Sequence, residues 1–178
     1  MLGRALNASF LVAGGPGAGK STFVRSISEI EPRWVTAPDA ATPTHEFVDV
    51  TDEATAVDYG RLSLDEQAVL HLYAIPSARL DDFAPMAIGA TTVIDPRDLG
   101  SAQAAMTRVE SAGLPHVAVL NTFGRTEPTV DVRAALDLSA DTPLICCDAV
   151  DPEAVKNVLL TLLAEILTGM RTRPEASR

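Results

Sequence analysis

Short apolar runs alternate with helical stripes from one end of the chain to the other. Ser9-Phe10-Leu11-Val12-Ala13 is a continuous apolar run that stops at glycines, the pattern of a parallel strand buried on both faces. A helix is expected from about Gly19 to Ile30, with Phe23, Ile27 and Ile30 at helical spacing. Thr55 to Leu64 and Ala68 to Ile75 read as two strands joined by the polar turn Asp65-Glu66-Gln67. A less regular stretch, Ser77 to Pro85, holds room for a short helix. Ala87 to Ile94 is the next strand, followed by a helix over Leu99 to Ser111 that closes at Gly113 and Pro115. Val117 to Leu120, a helix near Val130 to Leu138, and a strand at Leu144 to Cys147 complete the alternation. The last helix carries its own start and stop signals: Asp151 as cap, Pro152 at the first position, Gly169 at the end. Val155, Val158, Leu159, Leu162, Leu163 and Ile166 form its buried stripe.

Strands joined by crossover helices predict an α/β fold of three layers. The sheet is mostly parallel, of about six strands, with helices on both faces. Residues 1–170 make one domain, and residues 171–178 a tail expected to fray. Between Glu31 and Ala54 the pattern breaks down: Pro32, Pro38 and Pro43 stand among Thr and Asp with little periodicity. A loop of that length inside a compact domain points to function.

Gly14-Gly15-Pro16-Gly17-Ala18-Gly19-Lys20-Ser21 matches the G-x-x-x-x-G-K-[ST] phosphate loop, between a buried strand and a helix start as that motif requires. Small residues let backbone N–H groups converge on phosphate oxygens, and the helix N-terminus adds free donors and partial positive charge. Gly15, Gly17, Ala18, Gly19, Lys20, Ser21 and Thr22 are the expected phosphate ligands. Lys20 supplies a full charge, and the Ser21 hydroxyl suits Mg²⁺. This is the signature of a P-loop NTPase. In open α/β sheets ligands gather at the carboxyl ends of the strands, which here are Ile75-Pro76, Asp95, Asn121-Thr122 and Cys147-Asp148-Ala149.

Composition narrows the partners. The 178 residues are 47% hydrophobic and 21% charged, globular proportions, and only 4% aromatic, so the core is aliphatic. With 14 Lys and Arg against 24 Asp and Glu the net charge is -10, which disfavours a nucleic-acid partner but leaves room for a mononucleotide in a local positive pocket. Cys146 and Cys147 are adjacent, which suits neither a disulfide nor a zinc site, and read as small hydrophobes ending a strand. No apolar run approaches a membrane span, so the expectation is a cytoplasmic protein. His45, His71 and His116 are scattered and read as loop, strand and loop residues. Arg61 and Arg79 read as solvated surface arginines, and Asp95-Pro96 as the beginning of the next helix.

From about Phe10 to Leu167 the chain resembles the Ras-like GTPases of actinobacterial conservons, the CvnD family, distant relatives of the bacterial polarity GTPase MglA. The resemblance rests on Val12-Ala13-Gly14-Gly15, Gly19-Lys20-Ser21-Thr22-Phe23-Val24, Ser28-Glu29-Ile30, Val57-Asp58-Tyr59-Gly60-Arg61-Leu62, the strand leading to Pro76, Cys147-Asp148-Ala149, and Glu153-Ala154-Val155-Lys156. It implies a small GTPase fold and a switch binding GTP or GDP with Mg²⁺, ATP not excluded. It also implies a roadblock-fold protein and a sensor-kinase-like membrane protein as partners, the second able to recruit the chain to the membrane.

Three departures bear on chemistry. The family's Thr-Pro-Gly-Gln after the third strand is here Ile75-Pro76-Ser77-Ala78. Pro76 and Ser77 keep the switch position, but Ala78 cannot orient an attacking water, so hydrolysis is expected to be slow or partner-dependent. The guanine-reading Asn-Lys-x-Asp is Asn121-Thr122-Phe123-Gly124: Asn121 can brace the phosphate loop, while Gly124 has no carboxylate. Base-site candidates are therefore Asn121, Thr122, Cys147, Asp148 and Ala149. Asp148 either replaces the lost acceptor or caps a turn before the last helix, and its turn preference favours the cap. For the first-switch threonine, which would join Ser21 on the metal, Thr55 and Thr51 both qualify. Two readings compete with the switch: a P-loop small-molecule kinase, and a pseudo-GTPase scaffold that holds no nucleotide.

Overall fold

The computed structural model describes residues 6–31, 33–35, 57–125 and 131–172. Strand β1 (Leu6–Gly14) lies at the centre of a sheet in which α1 (Lys20–Ile27), β2 (Arg33–Val35), β3 (Val57–Ser63) and β4 (Ala68–Ala74) follow it in sequence. Next come α2 (Leu80–Phe83), with a 3₁₀ turn on either side, β5 (Gly89–Ile94), α3 (Leu99–Ser111), β6 (His116–Asn121), α4 (Val132–Ala135), β7 (Leu144–Cys147) and α5 (Pro152–Thr172). The strand order is β2-β3-β4-β1-β5-β6-β7. β4, β1, β5, β6 and β7 run parallel, while β2 and β3 are antiparallel to their neighbours.

Among the described residues the sheet has seven strands, in keeping with the expectation of about six and with one strand more. The additional one, Arg33-Trp34-Val35, falls in the stretch that reads as loop, because three residues show no periodicity and only pairing with Val57 to Tyr59 makes them a strand. Alternation along β1 sends Phe10 and Val12 to one face, with α1 and α5, and Leu11 to the other, with Tyr73, Leu80 and Phe83. α3 and α4 cover the far part of that second face through Ala102, Met106, Val132 and Leu136, giving three layers.

Three helices differ from expectation for local reasons. α1 stops at Ile27 because Ser28 turns to extended backbone (φ -71°, ψ 132°). Its hydroxyl donates to the Ile30 carbonyl at 2.7 Å and accepts from the Arg61 N–H, tying the exit of the helix to β3. α4 is only four residues long, capped by Asp131 and ended where Asp137 turns left-handed (φ 49°). α5 runs past Gly169 to Thr172: Gly169 is exposed with open space around it, and a glycine there costs only about 1 kcal/mol against alanine. Asp151 does open α5, its carboxylate accepting from the Glu153 N–H at 3.0 Å. Among the described residues no helix is long and apolar enough to cross a membrane.

Candidate functional site

The carboxyl edge of the parallel strands converges on the loop between β1 and α1. Gly14, Gly17 and Gly19 hold φ values of 144°, 72° and 104°, backbone that side-chain-bearing residues rarely adopt. Two of these positions also have no room for a Cβ: one at Gly14 would lie 2.3 Å from the Val93 carbonyl oxygen, and one at Gly19 2.4 Å from Asn121 Nδ2. The loop is thus wrapped tightly against the ends of β5 and β6. Lys20 opens α1 and turns its ammonium back over the loop, donating to the carbonyls of Gly14 (3.1 Å) and Gly15 (2.8 Å). Two of its three donors are used there, which leaves one for an anion. Burial holds the Lys20 pKa below its usual value, partly offset by the carboxylate of Asp58. A half-desolvated ammonium at a helix start is a strong demand for negative charge. Ser21 and Thr22 follow in the first turn, Ser21 half-buried and Thr22 exposed.

Asn121, at the end of β6, ties three segments together while almost wholly buried, at 2% exposure. Its Nδ2 donates to the Ala18 carbonyl at 2.9 Å. Its Oδ1 accepts from the N–H groups of Phe123 and Ala149, each at 3.2 Å. The bracing role expected of it is therefore present. Thr122 N–H donates to the Cys147 carbonyl, closing the gap between the ends of β6 and β7. Burial, with help from Asp148 and Asp151, pushes the Cys147 thiol up to about 11, so it stays protonated at neutral pH and offers no thiolate. Cys146, expected inside, is exposed on β7, the last strand in the sheet order.

Asp148 does cap a turn, as its residue type suggests: its Oδ1 accepts from the Val150 N–H at 3.3 Å. Asp95 does not begin α3; Asp98 does, accepting from the Ser101 N–H. Asp95 instead holds Arg97 through Nε and a terminal nitrogen, both at 2.8 Å, and that pairing lowers the Asp95 pKa. The Arg97 guanidinium lies 4.4 Å from the ring centroid of Phe123, whose φ is 51°. The pairing fixes an exposed aromatic beside the strand ends.

On the other flank Pro76 and Ser77 are half-buried and Ala78 is exposed. The Ser77 hydroxyl lies 3.4 Å from the Gly14 carbonyl, so this turn touches the loop. Arg79 is paired with Asp82 rather than solvated alone. Thr51, Thr55 and His45 lie outside the described residues. His71 sits on β4 against Tyr59 and Asn7, and His116 starts β6 rather than lying in a loop.

The structure brings one unexpected residue to the site. Asp58 on β3 pairs in register with Ala74, the last residue of β4, and its carboxylate acts electrostatically on Lys20. Its carboxylate accepts from Trp34 Nε1 at 2.9 Å and lies 3.8 Å from Arg25. Only the antiparallel pairing of β3 with β4 carries it there; the sequence places it 16 positions before Ala74. Among the described residues no group of three or more His, Cys, Asp or Glu forms a metal cage.

No family model matches the chain, and no curated protein does. Among solved structures, the chain is similar to the G domain of the iron transporter FeoB of T. maritima, with a TM-score of 0.61 and 12% identity over 89% of this chain and 98% of that one. The protein has the P-loop fold of a small-GTPase-like G domain, a mixed but mostly parallel seven-stranded sheet with helices on both faces.

Proposed function

We propose that this chain is a nucleotide switch of the Ras-like kind, holding the phosphates of GTP or GDP on Gly15, Gly17, Ala18, Gly19, Lys20, Ser21 and Thr22. The observation that carries the reading is Lys20: a half-buried ammonium, pinned over a loop of positive-φ glycines, with no carboxylate bonded to it among the described residues. That arrangement is unfavourable until an anion arrives. Asn121, Thr122, Cys147, Asp148 and Ala149 border the position beside the loop where a base would lie.

The site also fits Mg²⁺, which takes one or two protein oxygens and completes its shell with phosphate and water. The Ser21 hydroxyl and the Asp58 carboxylate would hold it, with Thr55 the remaining candidate from the sequence. Bound there, the metal would neutralise charge between the outer phosphates. Pro76 and Ser77 provide the second switch, and the exposed Ala78 leaves the attacking water without a side chain to orient it. Hydrolysis is accordingly slow, and a partner supplies the missing group. The resemblance to conservon GTPases suggests a roadblock-fold protein in that role, with a sensor-kinase-like protein upstream. The kinase alternative needs a free acid at the end of β4 to act as base; Ala74, Ile75 and Pro76 supply none, and Asp58, opposite Ala74, already accepts from Trp34 Nε1 and is taken up as a metal ligand in the switch reading. The nucleotide-free scaffold leaves the strained glycines and the desolvated Lys20 without purpose.

Calorimetry with GDP, GTP and ATP in the presence of Mg²⁺ tests the reading, followed by phosphate release with and without a roadblock partner. Binding of guanine nucleotides with turnover negligible until the partner is added is the expected result. Absence of heat with every nucleotide would sink the reading, and phosphate transfer to a small acceptor would replace it with the kinase.

A further inference from the structure

We infer that Asp148 is the residue that selects the base, and that it selects guanine. This rests on the phosphate-site reading above and adds to it the identity of the ring. Gly124 occupies the position from which a G domain of the kind the chain resembles would extend its base-reading carboxylate. In this structure a Cβ at Gly124 would lie 3.5 Å from Asp148 Oδ2. The carboxylate of Asp148 thus stands against the place where a side chain at 124 would begin, but it is delivered from the β7–α5 loop.

That loop belongs to the nucleotide site. A Cβ at Gly19 would lie 3.6 Å from the Ala149 Cβ, and the Ala149 N–H is bonded to Asn121, which braces Ala18. Asp148 is half-buried, and its Oδ1 is anchored by the Val150 N–H. Its Oδ2 takes no hydrogen bond among the described residues. One oxygen therefore fixes the orientation, and lone pairs remain on both for a ligand. A carboxylate with only acceptors matches a ring edge that presents two adjacent N–H donors. Guanine offers such an edge at N1 and its 2-amino group; adenine presents an acceptor at N1 and is rejected. The turn cap and the base reader are two oxygens of one side chain, so the role suggested by the residue's turn preference does not compete with recognition.

The test measures dissociation constants of the full chain with Mg²⁺ for GDP, IDP, ADP and XDP, in wild type and Asp148→Asn. Asparagine keeps an oxygen for the Val150 N–H, and equal thermal melts would confirm an intact fold. Wild type is expected to bind GDP about tenfold or more tighter than IDP, which lacks the 2-amino donor, and tighter still than ADP. Asp148→Asn is expected to lose at least about tenfold for GDP, gain affinity for XDP, whose 2-oxo group can accept from the new amide, and leave ADP unchanged. Equal wild-type affinity for GDP, IDP and ADP overturns the inference while leaving the phosphate site standing. So does a variant that weakens all four alike, since that is the effect of a purely structural residue. No binding of any of them overturns the phosphate site as well.

Discussion

Asn121 Nδ2 lies 2.9 Å from the carbonyl oxygen of Ala18, joining the end of β6 to the phosphate loop across 103 positions of sequence. The same side chain leaves no space for a Cβ at Gly19, so bond and glycine are two sides of one close approach. The loop is held in shape by this contact from the end of β6.

Removing that brace has a defined cost. Asn121→Ala strips the buried N–H of Ala149 and the partly buried N–H of Phe123 of their acceptor, and the Ala18 carbonyl of its donor. At about 1–3 kcal/mol for each buried group left unsatisfied, partly relieved by water, the variant should unfold about 2–4 kcal/mol more easily. Urea denaturation measures it, and a loss under about 0.5 kcal/mol, the range of an ordinary surface change, would show that Asn121 is not the brace.

The loop glycines should rank by space as well as by conformation. Gly17 has a left-handed φ but open surroundings, so Gly17→Ala should cost about 1–2 kcal/mol. Gly19→Ala adds a collision at 2.4 Å with Asn121 and should cost more, about 3 kcal/mol or above. Thermal melts of the two variants check the order, and the reverse order would contradict the packing described.

Lys20 gives two pH slopes of opposite sign. Burial lowers its pKa in the folded, unliganded protein below the unfolded value of 10.5. Between those two values the unfolded chain binds the extra proton, so stability without ligand should rise with pH across that window. Phosphate binding needs the charged form, so nucleotide affinity should fall as pH climbs through the lowered value. Lys20→Met should abolish both slopes; comparing it with wild type removes the contribution of Tyr59 and Tyr73, whose pKa values are raised mainly by burial. A wild-type affinity independent of pH up to 10.5 would contradict the assignment.

If Ala78 is what limits hydrolysis, restoring a side chain that can orient water should raise turnover. Ala78 is exposed beside the half-buried Ser77, so Ala78→Gln requires no repacking. Single-turnover GTP hydrolysis should accelerate by about tenfold or more over wild type, with GDP affinity unchanged. An unchanged rate would place the defect elsewhere in the switch, Ser77 first.

Local pattern made a large part of this protein readable. The phosphate loop, the bounds of α3 and β7, the Asp151 cap of α5 and the buried character of β1 all follow from residues within a turn or two of each other. They follow because helix period, capping and glycine φ preferences are short-range physics. What the sequence left open depends on register between distant segments. Arg33-Trp34-Val35 is a strand only because β3 pairs with it, and α1 ends at Ile27 because Ser28 is bonded to Arg61. Asp58 reaches the site only because it lies opposite Ala74. Asp148 meets Gly124 only because β6 and β7 are neighbours, and no residue type or spacing states that two loops 24 positions apart will come together. Chemistry that one segment carries alone could be read from the chain; chemistry assembled from several strand ends was settled by the pairing of the sheet.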